Sequence, residues 1–162
     1  MAGIVLTDAS PLIGLARVDG LAWLESLFGK VWMPPQVQAE VLSERAFAGE
    51  QAIAAAIAKG WLALAQPVPV QPELPDLDEG EAACIRLALR YGGPALLLID
   101  ERAGRAVATE LGIRVAGTAA IIGMAKARAL IPSARAVFAR LHASDFRISA
   151  QVINTVLERV GE

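Results

Sequence analysis

At 162 residues and 55% hydrophobic, the chain has the length of one domain whose core needs no cross-link, because a chain of this size buries roughly two-thirds of its unfolded surface. A single cysteine (Cys84) and a single histidine (His142) exclude a disulfide framework, a Cys/His zinc site and a histidine acid–base pair. The net charge of −2 argues against a strong nonspecific nucleic-acid binder, yet residues 1–100 carry 6 Lys and Arg against 12 Asp and Glu while residues 101–162 carry 9 against 5, a split that allows an acidic pocket flanked by a basic surface.

The chain opens on IVLT at 4–7, a short β-branched strand, followed by Asp8 and by Ser10-Pro11, which read as the N-cap and first residue of a helix. Residues 31–33 form a brief strand, Pro34-Pro35 opens a helix to about residue 46, and the alanine-rich stretch 47–59 is helical up to Gly60. Residues 61–65 suit a strand, and the proline-rich stretch 67–75 reads as an exposed linker. A helix over 78–91 and a Gly92-Gly93-Pro94 turn lead into ALLLI at 95–99, an apolar run suited to a strand buried on both faces. Helices over 102–111 and 118–129 bracket a strand at 113–115, and helices at about 132–142 and 149–160 follow. Strands alternating with helices predict an α/β fold with a mostly parallel central sheet. The longest apolar runs, at 95–99 and 115–125, fall short of the roughly 20 residues a spanning helix needs. With no basic leader at the start, no membrane association and a cytoplasmic location are expected.

With histidine almost absent, chemistry falls to carboxylates, hydroxyls, arginine and the three lysines, Lys30, Lys59 and Lys126. Two strands end in aspartate, IVLTD at Asp8 and LLLID at Asp100. Ligands of open α/β sheets bind beyond the carboxyl ends of strands, so these acids are placed to share a crevice; helix capping is the alternative, a role Ser10 already offers near Asp8. Glu40 sits beside Val37 and Val41 at the border of a buried helix face, where a glutamate needs a partner or a metal, or else is a solvated surface residue. Glu44, one turn on, is its fallback. Glu81 completes a capping box with Asp78, and also heads an apolar stripe through Ile85 and Leu89 that points it inward.

Several carboxylates in one crevice cannot all ionise without a cation, and oxygen ligands alone favour Mg²⁺ or Mn²⁺ over zinc. Such a site supports in-line hydrolysis of a phosphodiester. Ser10, Arg102, Arg105 and Thr118 are candidate substrate-binding residues. Each has a structural alternative: an N-cap before Pro11, a solvated helix face for the two arginines, and a helix cap at Thr118. His142 reads as structural or exposed. The stripe Val152, Val156 and Val160, with Ile153 and Leu157, packs on the core or serves a partner.

TDASPLIGLARVDGL at the start, the helix PPQVQAEV, the turn LDEGEAACIRLAL and the run LLLIDERAGRAVATELGIRVAGT together resemble a subfamily of PIN domains, over nearly the whole chain. The resemblance implies a three-layer α/β/α fold similar to that of flap nucleases, a single domain over 1–162 with its C-terminal helices at about 132–160 packed on it, and an acidic set of Asp8, Glu40, Glu81 and Asp100. The third of these positions is more often aspartate in the toxin ribonucleases. It further implies a Mg²⁺- or Mn²⁺-dependent ribonuclease, the toxin of a toxin–antitoxin pair, with RNA as substrate, a small antitoxin as partner and a homodimer as a candidate assembly. The competing reading is a silent PIN-like module that binds nucleic acid or a protein without cutting. A haloacid-dehalogenase-type phosphatase ranks last, since that chemistry expects a second aspartate where this chain has Ser10.

Overall fold

A computed structural model describes residues 3–43 and 49–162. In chain order the elements are β1 (Ile4–Thr7), α1 (Ala9–Arg17), α2 (Ala22–Phe28), β2 (Val31–Met33), α3 (Pro35–Val41), α4 (Glu50–Lys59), β3 (Leu62–Leu64), α5 (Glu79–Tyr91), β4 (Ala95–Leu98), α6 (Arg102–Glu110), β5 (Arg114–Ala116), α7 (Thr118–Ala127), α8 (Ala134–Ala143) and α9 (Ala150–Arg159). The strands form one sheet in the order β3-β2-β1-β4-β5. Every pairing in it is parallel, with Leu6 of β1 against Trp32 on one side and Leu97 on the other.

That order contains a change of direction. From β1 the chain moves outward to β2 and β3, then returns across β1 to β4 and continues to β5. Because parallel crossovers are right-handed, the connections leaving β1 and β4 go to opposite faces of the sheet, giving three layers. Helices α1 and α2 pack with α7, while α5 lies on β1 and β4 beside α6. Between β1 and β4 the two departing chains diverge and leave a crevice at the carboxyl ends of the strands. The sheet beneath it is dry. Leu6, Leu97, Leu98 and Ile99 have no exposed surface, and each fully buried aliphatic side chain contributes about 1.5–3 kcal/mol.

Several local expectations shift. Helix α1 starts at Ala9 with Asp8, in extended conformation, at the N-cap position and without a side-chain cap; Ser10 is therefore inside the helix and is not its cap. Helix α3 ends at Val41, and the region of Glu44 to which the helix was expected to continue lies outside the described residues. The seven-residue α2 was not foreseen. On α5 the stripe below Glu81 runs through Cys84, Ile85 and Ala88, whereas Leu89 is 37% exposed. Steps of four residues drift about 40° each around a helix of 3.6 residues per turn, so the eighth residue has left the face. The stretch 67–75 carries no helix or strand and is tied to α5, where Arg86 Nε donates to Pro72 O at 2.8 Å and Arg90 Nη1 to Pro67 O at 3.0 Å. Helices α8 and α9 pack on α7 and on each other. Among the described residues no helix is long and apolar enough to cross a membrane.

Candidate active-site cleft

The crevice over β1 and β4 opens into a cleft of about 860 Å³ lined by six carboxylates, Asp8, Glu40, Asp78 and Asp100 on its floor and Glu101 and Asp145 beside them. Asp8 follows β1 directly, and its N–H donates to Leu98 O at 2.9 Å, which fixes the end of β1 against the end of β4. Its side chain is only 6% exposed. Burial pushes its carboxyl up to about 6, the charges of Asp78, Glu40 and Asp100 push the same way, and a hydrogen bond from the Ala9 N–H opposes them. Glu40, on the last turn of α3, is raised by partial burial and by Asp78. Asp8 thus senses the other three acids of the floor, and Glu40 senses Asp78.

Asp100 is the most constrained of them. Its Oδ1 accepts Thr118 N–H at 2.7 Å, and its Oδ2 accepts the hydroxyls of Thr118 at 2.8 Å and Ser10 at 2.9 Å. Three donors from two helices, α1 and α7, hold the carboxylate in one orientation. Ser10 and Thr118, the expected substrate-binding residues, donate their hydroxyls to Asp100. Thr118, wholly buried, is the first residue of α7 and makes no cap of its own.

Asp78 and Glu81 form the expected capping box. Asp78 caps α5: its Oδ1 accepts Glu81 N–H at 2.8 Å while Glu81 Oε1 accepts Asp78 N–H at 3.3 Å. Asp78 reaches the cleft, and Glu81 stays behind it, 3% exposed. Its Oε2 is buried without a hydrogen-bond partner among the described residues. Burial and the neighbouring Asp78 carboxyl raise its carboxyl to about 7, while the bond from Asp78 N–H opposes them. The signal for Asp78 was present in the capping-box pattern Asp78-x-x-Glu81, which puts one carboxylate at the helix end and the other inside.

Close approaches keep these acids where they are. A Cβ on Gly80 would lie 3.0 Å from Asp8 Oδ1 and 3.6 Å from Asp78 Oδ1, one on Gly117 would lie 2.9 Å from Asp100 Oδ1, and one on Gly104 would collide with Glu81 Oε2. Buried Cys84 donates its thiol to Thr7 O at 3.4 Å. Burial and the neighbouring carboxylates push that thiol far up, so it belongs to the core and not to the chemistry.

Arginines border the acids. Arg102 and Arg105 of α6 and Arg159 of α9 line the same cleft, and among the described residues none of the three takes part in a salt bridge. Asp8, Glu40, Asp78 and Asp100 come from the first 100 residues, and these arginines, with Arg147, from the last 62, which also add Glu101 and Asp145 to the lining; the charge split along the chain thus becomes an acidic floor beside a rim whose four arginines outnumber its two acids. Sequence reasoning missed Arg159 and the strap 144–149, because only the packing of α9 on α7 carries them to the cleft. His142 does not line the cleft and meets the strap through Nε2, which stands 3.1 Å from Ile148 O and 3.3 Å from Ile148 N.

The donors on the floor are all oxygens, the chemistry of a hard divalent cation. Among the described residues no three acidic, histidine or cysteine side chains close on one point. The arrangement fits an ion held by one or two carboxylates with water filling its remaining positions, the usual manner for Mg²⁺. A family model described as a PIN domain matches residues 4–162. No curated protein matches the chain.

Proposed function

The chain belongs to the PIN-domain family, a nuclease-type fold, and from that premise we propose that it is a Mg²⁺- or Mn²⁺-dependent endoribonuclease whose centre is the floor of this cleft. The observation that carries the reading is the acidic floor set against an arginine rim in one cleft. Asp8 and Asp100 are the proposed principal ligands, Glu40 and Asp78 flank them, and Glu81 sets Asp78 from behind. Bound there, the cation supplies an activated water and neutralises charge on the attacking and leaving oxygens. Ser10 and Thr118 keep Asp100 aimed, and Arg102, Arg105 and Arg159 receive the phosphates on either side of the scissile bond. Support for a toxin role with a small antitoxin partner comes from the family resemblance.

The open arrangement of the acids favours a second reading, a PIN-like module that binds nucleic acid without cutting. Calorimetric titration with Mn²⁺ separates the two. The nuclease reading expects binding that Asp8→Asn removes; heats that are absent, or unchanged by that substitution, favour the silent module.

A further inference from the structure

The cleft continues beyond its acids to an apolar wall. Phe146 and Ile148 of the strap between α8 and α9, with Val152 and Val156 of α9, line the same space as Asp8 and Asp100. Val152 is 41% exposed, one of the few large apolar side chains that face solvent. This wall is supported from behind. The Phe146 ring lies against Gly14 of α1, where a Cβ would come within 2.8 Å of the ring. Arg17 of α1 pairs with Asp145, and Arg147 Nη1 donates to His142 O at 2.8 Å and Ser144 O at 2.7 Å.

We propose that this wall seats an unpaired nucleobase, so that the cleft takes single-stranded nucleic acid with one base against Phe146 and Val152 and its flanking phosphates on the arginine rim. The inference rests on the nucleic-acid reading above and adds to it a seat for one base and two specificity-determining residues. An anionic backbone that carries flat apolar groups is the ligand class that complements arginines beside an exposed apolar and aromatic surface. A duplex keeps its bases stacked and paired, and cannot bring one to a wall inside a cleft without first unstacking it. The volume, about 860 Å³, falls within the roughly 300–1,000 Å³ of pockets that enclose a small ligand.

Fluorescence anisotropy in EDTA, where no cleavage occurs, tests this with a labelled single-stranded RNA, its duplex and an abasic strand of equal length. Val152→Ser changes an exposed position, and Phe146→Leu keeps an apolar side chain over Gly14. The expected result is tighter binding of the single strand than of the duplex, about tenfold weaker single-strand binding in either variant, and no change toward the abasic strand. Arg159→Ala should weaken binding of both strands. Parent-like affinity of both variants for the single strand, equal binding of duplex and single strand, or an equal loss toward the abasic strand overturns the base seat while Arg159→Ala still has its effect. If no strand binds and Arg159→Ala changes nothing, the nucleic-acid reading fails with it.

Discussion

Burial sets the protonation of Asp8, and the sign of its effect on stability follows. With its carboxyl raised from 3.8 to about 6, folding takes up a proton there; the stabilisation is full below the unfolded value and is lost as pH rises through about 6. Glu81, raised from 4.5 to about 7, acts in the same direction and extends the window upward. In EDTA the melting temperature should therefore fall between about pH 4 and about pH 8. Asp8→Asn should flatten part of that fall and raise the melting temperature at the alkaline end. Mn²⁺ should restore the parent most at the alkaline end and leave Asp8→Asn nearly unaffected. Differential scanning fluorimetry across pH checks both; a flat profile for the parent contradicts the buried-carboxylate account. Gly104 offers an independent check on Glu81. A Cβ there meets Glu81 Oε2 and Ile99 Cδ1, so Gly104→Ala should cost about 1–3 kcal/mol by overpacking, read as a drop in urea midpoint, while Gly112→Ala, in open space but at a φ of 79°, should lose only what its backbone conformation demands.

Elements that announce themselves by local chemistry were legible in the sequence, and elements fixed by packing were not. Strand β1, strand β4 and capped helix α5 were read from β-branched runs, a five-residue apolar stretch and the Asp78-x-x-Glu81 pattern, signals that need no tertiary context. Helix α2 has no side-chain cap, and its short sequence lacked enough turns to show a period. Asp8 and Asp100 were legible because a strand end is itself a position in the fold. Asp78 could not be separated from Glu81, since the capping box assigns them reciprocal bonds and leaves open which one faces the cleft. The wall of α9 was beyond reach because its position depends on α7: Gly123 lets Val156 approach so closely that a Cβ would stand 2.9 Å from Val156 Cγ1. Gly123→Val should push α9 outward, lowering the melting temperature and weakening single-strand binding together; binding that survives intact would show that α9 does not shape the cleft. At the other end of the same layer, Glu162 clasps the start of α8 through Ser133 Oγ at 2.8 Å and Ala134 N–H at 2.6 Å. These bonds and Lys126 lower its carboxyl, so its contribution is present above the unfolded value and lost as pH falls. Glu162→Ala should lower the neutral-pH melting temperature and leave nucleic-acid affinity unchanged.

At the scale of the molecule, topology turns a charge gradient along the chain into one cleft that carries both signs of charge. The first 100 residues supply Asp8, Glu40, Asp78 and Asp100 and the remainder supplies Arg102, Arg105 and Arg159, and the reversal of strand order at β1 and β4 brings both to one opening. A net charge of −2 then describes the whole chain and says little about the rim. Binding of single-stranded RNA should weaken with salt, each phosphate contact adding about 0.7 to the log–log slope. Arg159→Ala should reduce that slope by about that amount, measured by anisotropy at several salt concentrations. The central claim, that the cleft is a metal-dependent nuclease centre, is tested most directly by following cleavage of a labelled single-stranded RNA in Mn²⁺ by the parent and by Asp8→Asn and Asp100→Asn, with circular dichroism confirming that each variant is folded. The account predicts cleavage by the parent that EDTA stops and that each substitution reduces to background. A folded Asp100→Asn that cleaves at the parent rate, or a parent inert at saturating Mn²⁺, would contradict it.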